Sequence, residues 1–348
     1  MADIHTIGAG GGSIAYVDVA GMLRVGPQSA GADPGPACYG RGGKQVTVSD
    51  ANLVLGYLPD VALGGQWRLD RAAALAAMAD LADSLGLSVV ATAQGIIEIA
   101  NEHMAQALRV ISIERGDDPR TFSLLCYGGA GGLHVCAIAE ALGVPRVIVP
   151  AHAGVFSALG MLIARPSRQL LRTVNLTLSP DAAPSIDDAL AELEATGRRE
   201  LQGEGHDAAR IEARRELDLR YRGQSFTLTV PWTNPAESAQ QFHLRHEARY
   251  GHALGVEIEV VNVRVGVSVP VAPLQSDSYR SVDAPHRSSG AHVEGLGQVV
   301  VMARQSLGAG SAVRGPSIIT DIDSTTFVAK GWSGTIDRFD NLVLTPPG

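Results

Sequence analysis

Between Leu124 and Val135 the chain reads LLCYGGAGGLHV, which places four glycines in the five positions 128–132. Apolar residues precede them and an apolar-periodic segment follows. A chain gives up side chains like this where backbone must turn tightly or where something must come close. The pattern predicts a buried strand over residues 121–127, a turn, and a helix over 133–142. With a second short strand at 146–150, this commits the region to α/β architecture around a parallel sheet. N–H groups at a helix start favour an anion, and a turn without side chains admits a flat base or a ribose. A plain packing turn is the alternative, and the pattern alone leaves both open.

The kind of nucleotide can be narrowed. A P-loop needs Gly-x-x-x-x-Gly-Lys-Ser/Thr, and no lysine follows here. A dinucleotide fingerprint needs a third glycine where His134 stands, and its downstream acidic residue is missing too. A nicotinamide oxidoreductase is therefore disfavoured. Without Gly-x-Ser-x-Gly, a serine-hydrolase elbow is unsupported.

A second cluster, GAGGGS at Gly8–Ser13, follows a strand expected over 3–7 that carries His5. It precedes a hairpin turning at Ala20-Gly21. Close approach to another segment or to a substrate suits this cluster better than a bare phosphate. Asp33 sits in the Pro- and Gly-rich loop QSAGADPGPACYGRGG, and Ser49-Asp50 is expected to cap a helix running to Leu58. Further helices are expected over 69–85, 91–115 and 154–164. On the longest, Ile96, Ile97, Ala100 and Met104 take one face, and Glu98, Asn101 and Glu102 another.

Beyond Arg165 the texture changes. Strands at 168–178, 212–221, 225–230 and 257–269 alternate with helices at 185–204 and 235–250, and 277–295 reads as a linker. Three domains are expected: residues 1–165, an α+β domain over 166–272, and a linker with a small β-rich domain over 273–348.

The 45% hydrophobic and 18% charged content of the 348 residues describes a globular protein. A net charge of -8 argues against nucleic acid or an anionic membrane as partner. Cys38, Cys126 and Cys136 form no C-x-x-C pair, which suits a reducing cytosol and excludes a Cys-rich zinc module. There is no signal peptide and no apolar run long enough to span a bilayer, so a cytoplasmic location is expected. His103 and His134 lack a ligand partner at helical spacing. His243 and His246, with Glu247 and His252 nearby, read as an exposed polar helix face in preference to a metal pair, so no metal site is expected.

Several segments together resemble the hydantoinase A/5-oxoprolinase family: DIHTIGAGGGSIAYVD, GPQSAGADPGPACYGRGG, VSDANLVLGYL, IANEHMAQALRVISIERGDDPRTFSLLCYGGAGGLH and VPAHAGVFSALGMLIA. Later stretches, LRYRGQSFTLTV, FHLRHEARYGHALG, VVNVRVGV and GPSIITDIDSTTFVAKGW, are similar to that family's C-terminal region. The resemblance implies an ATP-dependent enzyme with the actin/Hsp70/sugar-kinase-like (ribonuclease H-like) fold. It would open a cyclic amide or, in related subunits, carboxylate a ketone. It also implies that Gly128, Gly129, Gly131 and Gly132 line ATP or ADP carrying Mg2+, with Glu98 and Asn101 approaching from the long helix. His5 and Asp33 would take substrate-contact or acid/base roles. A hydantoinase B-type subunit is the implied partner. This sequence has GGAGG where the family often writes GGAGP, and Ala329-Lys330 where relatives tend to carry prolines. The family's N-terminal half, with its Asp-x-Gly-Gly-Thr phosphate loop, has no counterpart here. The chain thus reads as a C-terminal half that alone binds nucleotide weakly and turns it over negligibly. A non-catalytic assembly module that docks the B-type partner is the competing expectation.

Overall fold

The computed structural model describes residues 4–62, 67–272 and 288–348. β1 (Ser13–Val17) and β2 (Leu23–Ser29) form the expected antiparallel hairpin, with Gly21 at a φ of 78° in its turn. α1 (Val48–Leu55) follows, then a small ribbon of β3 (Val61–Ala62) and β4 (Trp67–Arg68), and α2 (Arg71–Leu85), capped by Asp70. Ser88 caps α3 (Val89–Ile111), and a 3-10 turn carries the chain on to Gly116 at a φ of 87°. Apolar side chains of α1, α2 and α3, among them Leu53, Met78, Ile96 and Ala100, build one core.

β5 (Leu124–Leu125), α4 (Val135–Leu142), β6 (Val147–Val149) and α5 (Phe156–Ile163) complete this region. Next come β7 (Ser167–Thr177), α6 (Ala183–Gly203), β8 (Glu212–Tyr221), β9 (Leu228–Pro231), α7 (Pro235–Tyr250) and β10 (Ile258–Ser268). The C-terminal strands are β11 (Ser288–Val293), β12 (Gly297–Ala303), β13 (Ala312–Arg314), β14 (Ser317–Thr320), β15 (Thr325–Val328), β16 (Ser333–Ile336) and β17 (Leu342–Thr345). The chain is therefore α/β with several sheets.

Residues 4–160 and 288–348 form one compact unit, and 161–272 another. In the second unit a four-stranded antiparallel sheet, ordered β7-β10-β8-β9, packs with α6 and α7 around Leu190, Leu217, Phe242 and Val263. Gly197 lets α6 settle on β10, since a Cβ there would lie 2.6 Å from Val267. His246 is buried in this core, its Nδ1 at 2.7 Å from the His252 carbonyl and its Nε2 at 3.2 Å from Gln224. His243 bonds to Tyr221. The helix face expected to be exposed and polar instead packs its histidines against aromatic rings.

Other expectations need correcting. Residues 4–7 form no strand, because they make no ladder pairing with the described strands near them, and His5 is exposed in coil. The strand expected over 121–127 shrinks to Leu124–Leu125, since a 3-10 turn at Pro119–Thr121, capped by Asp118, occupies the approach to it. Only β5 and β6 run parallel in their sheet, which is completed antiparallel from the C-terminus in the order β13-β16-β17-β6-β5. Pairing of β17 with β6 places the C-terminal strands in the same unit as the glycine turn, where a separate small domain over 273–348 was expected. The linker expected over 277–295 falls mostly outside the described residues, and its end is β11.

The cap of α1 carries more than a helix start. Thr47, not Ser49, is the N-cap, and Asp50 closes a capping box with it. The fully buried Asp50 carboxylate accepts from Thr47 N at 2.8 Å, Thr47 Oγ1 at 2.8 Å, Cys38 N at 2.7 Å and Ala37 N at 3.3 Å. One side chain thus nucleates α1 and pins the Gly/Pro-rich loop above it. Asp50→Ala leaves four donors unmet and should cost about 3 kcal/mol or more in urea unfolding. A loss below ~1 kcal/mol would show that water replaces the carboxylate.

Candidate functional site

The glycine turn forms where β5 ends. Gly128 adopts a φ of 91°, a left-handed conformation that side chains disfavour, and its N–H donates to the Ala153 carbonyl at 2.7 Å. Gly131–Leu133 then winds a 3-10 turn into α4, with His134 at the helix N-cap position.

What lies on three of the glycines is the chain itself. A Cβ on Gly132 would come within 2.5 Å of Thr326 Oγ1 and 2.6 Å of the Thr325 carbonyl. A Cβ on Gly131 would meet Cys126 Sγ at 3.1 Å, and one on Gly129 the Asp323 carbonyl at 3.2 Å. Thr325 N donates to the Gly129 carbonyl at 3.2 Å, fastening β15 to the turn. Gly154 faces the same loop, and its missing Cβ leaves room for Asp323. Only Gly128 has open space where its Cβ would be. Gly132 is buried against β15, whereas Gly129 stays exposed and Gly128 and Gly131 half-buried, so the turn keeps an open side away from the Cβ positions. The first glycine cluster serves close approach as well. Gly11 abuts Ser49 and Gly12 abuts Ser29, at 2.7 and 2.9 Å from the Cβ positions, and Gly11 lies 3.8 Å from Ala130 of the second turn by the same measure.

Two polar atoms at this turn are buried without a hydrogen-bond partner, His134 Nε2 and Asp323 Oδ1. Such orphans suit a water or a polar ligand atom. His134 Nδ1 lies 2.7 Å from Asn101 Oδ1, so α3 orients the imidazole and leaves Nε2 as its free end. Burial lowers the pKa of His134 from 6.5 to about 4, which keeps it neutral near pH 7. Beneath the turn, burial pushes the Cys126 and Cys136 thiols up to about 12.

The remaining sequence-predicted residues separate. Asn101 reaches the turn through His134, while Glu98, one turn earlier on α3, is exposed near Tyr57. Tyr57 itself is raised first by burial and then by the Glu98 charge. His5 lines a cavity of about 410 Å³ together with Tyr16, Arg24 and His103. Asp33 is exposed on its loop and is not among the residues lining that cavity. The sequence reading missed Asp323 and the Thr325-Thr326 pair. Their only signal was the segment TDIDSTTF, and its distance in sequence from the glycines hid the contact.

Gly132→Ala should destabilise by about 1–3 kcal/mol, because β15 must move to admit a methyl group. Gly10→Ala, with open space around its Cβ position, should stay within ~0.5 kcal/mol. Equal effects in denaturant titrations would contradict the packing of Gly132 against β15. His134 gives a pH test. Its folded pKa of about 4 lies below the ordinary 6.5, so between these values the unfolded chain binds the proton and the folded chain does not. Stability supplied by the neutral ring is full above pH 6.5 and drains as pH falls towards 4. The slope should approach ~1.4 kcal/mol per pH unit at most. His134→Gln should flatten the stability profile in that window, and an unchanged profile would refute the assignment.

Comparison with known proteins gives this geometry its setting. Residues 1–170 match the family model described as Hydantoinase/oxoprolinase. The caprolactamase subunit alpha of Pseudomonas jessenii is 36% identical over 99% of this chain and 53% of its own length. A crystal structure of the ATP-dependent caprolactamase from that organism superposes with a TM-score of 0.81 at 35% identity, covering 99% of this chain and 53% of that one. The 5-oxoprolinase of Dictyostelium discoideum is 30% identical over 94% of this chain and 28% of its own length. A nucleotide-free structure of acetone carboxylase, described under ATP-dependent acetone carboxylation, gives a TM-score of 0.73 at 27% identity, covering 97% of this chain and 51% of that one. The chain spans about half the length, or less, of the curated relatives it matches. From the matched residues 1–170 and these relatives, the chain belongs to the hydantoinase/oxoprolinase family.

Proposed function

We propose that this chain is the nucleotide-side portion of an ATP-dependent cyclic-amide hydrolase subunit with an actin/Hsp70/sugar-kinase-like fold. The observation that carries the reading is its likeness, across 99% of its length, to a caprolactamase described as ATP-dependent. The glycine turn falls within the residues that match the family.

A lactam resists water because amide resonance makes its nitrogen a poor leaving group. Bound ATP, with Mg2+ on its phosphates, would supply an electrophilic phosphoryl group that activates the carbonyl oxygen. The chain's own residues then bind and orient. The open face of Gly128 admits the adenosine side, whereas Gly129 and Gly132 hold β15 in place behind it and Gly131 packs on Cys126. Asn101 Oδ1 accepts from His134 Nδ1, which fixes the ring so that Nε2 of the neutral imidazole can accept one hydrogen bond. His5, beside His103 and Arg24, is the better placed of the two residues proposed for substrate contact or proton transfer, and Asp33 the weaker. The remaining phosphate contacts come from a further N-terminal half, and a hydantoinase B-type subunit is the working partner. By itself the chain binds ADP weakly and turns ATP over negligibly.

One observation favours the alternative of a non-catalytic docking module: on three of the four turn glycines the side-chain position is taken by the chain's own atoms. The likeness to acetone carboxylase keeps ketone carboxylation in the same test. ADP at ~100 times its dissociation constant should stabilise the folded chain by about 2.7 kcal/mol, read as a rise in Tm. No shift at millimolar ADP would favour the docking module. Supplied with an N-terminal half and a B-type partner, the chain should form ADP in the presence of cyclic amides. ADP formation with ketones alone would make it a carboxylase subunit. Robust ATPase activity of the chain by itself would contradict the division of labour.

A further inference from the structure

Asp323 lies where three segments of one compact unit meet. The glycine turn contributes Gly129, whose Cβ position is 3.2 Å from the Asp323 carbonyl, and the loop after β6 contributes Gly154. A Cβ on Gly154 would stand 2.7 Å from both Cβ and Cγ of Asp323, so bare backbone lies directly against the carboxyl group. The residue before Gly154, Ala153, accepts from Gly128 N at 2.7 Å, which ties the open end of the turn to the same place.

The carboxylate is not spent on the fold. Other loop aspartates bind N–H groups of their own turns: Asp18 accepts from Ala20 and Met22, Asp118 from Arg120, and Asp337 from Phe339 and Asn341. Around Asp323 those donors are engaged elsewhere. Ile322 N donates to Asp321 Oδ1 at 2.8 Å, Asp321 N to the Ser324 carbonyl at 2.8 Å, and Thr325 N to the Gly129 carbonyl. Asp323 Oδ1 is left buried with no partner, although the residue as a whole is only half-buried. A buried carboxylate oxygen without a donor costs free energy that a donor on a ligand would restore.

A carboxylate only accepts hydrogen bonds. It repels phosphate, so the group that fits here is an uncharged, donor-bearing part of a ligand. A resident metal ion would want further ligands, and among the described residues no group of three or more His, Cys, Asp or Glu side chains could hold one. We infer that Asp323 holds a hydroxyl of the ribose, which makes it the residue that tells a ribonucleotide from a deoxyribonucleotide. The assignment rests on the nucleotide reading above. It adds that the nucleoside end lies at Asp323, with the phosphates directed away from its charge.

Ligand-observed NMR on the whole chain, with ADP, 2′-deoxy-ADP and 3′-deoxy-ADP at millimolar concentrations, tests this. Loss of the hydroxyl that Asp323 holds should weaken binding about tenfold or more, as expected for a hydrogen bond to a charged group. Asp323→Ala should weaken ADP by a similar factor and bind all three nucleotides alike. That lost discrimination is a readout that a merely structural role of the carboxylate would not move. If the variant unfolds, the native chain decides alone, and equal affinity for the three nucleotides overturns the assignment. A variant that keeps the preference for ribose overturns it as well, by placing the hydroxyl on another residue. Both results leave the nucleotide reading standing. Binding of none of the three refutes that reading and the ribose assignment together.

Discussion

Gly132 and Thr326 meet so closely that a single methyl group would part them, and much of the first unit hangs on that contact. It brings β15 against the glycine turn, while β17, farther along the same segment, pairs with β6. The turn is thus clamped from two sides by residues nearly two hundred positions away in sequence. Its shape is a tertiary product. An isolated YGGAGG peptide would have far too much conformational freedom to keep it.

This arrangement recasts the glycines' purpose. Their missing side chains serve protein–protein packing at Gly129, Gly131 and Gly132, and leave free space only at Gly128. The polar atoms left without partners, His134 Nε2 and Asp323 Oδ1, lie on the two segments this packing joins. A structural clamp and a candidate binding surface are therefore one construction, since whatever moves β15 also moves Asp323.

Local features were readable from sequence where local physics decides them. The hairpin at Gly21, the cap at Asp70 and the extents of β8 and α7 follow from turn chemistry, capping and periodicity. Long-range features were not. Nothing in LLCYGGAGGLHV indicates that a C-terminal strand will fill its glycines. Nothing near Val147 indicates that its sheet will be completed by antiparallel strands from past residue 312. The helix bearing His243 and His246 looked solvent-facing because its residue types are polar, yet Tyr221, Gln224 and the His252 carbonyl satisfy those rings inside the core. Of the candidate site, Asn101 and the glycines could be named from sequence. The bond joining Asn101 to His134 could not, because it links α3 to a residue 33 positions on.

The buried thiols beneath the turn have a practical corollary. Cys126 touches Gly131, and Cys136 donates to the Phe327 carbonyl at 3.5 Å, so both sulfurs lie where β5, α4 and β15 converge. With their pKa values near 12, neither forms thiolate at ordinary pH while that junction stays shut. Alkylating reagents would then modify them only during transient opening. Nature has placed two silent reporters at the seam, whose labelling rate is a clock for how often the C-terminal segment lets go.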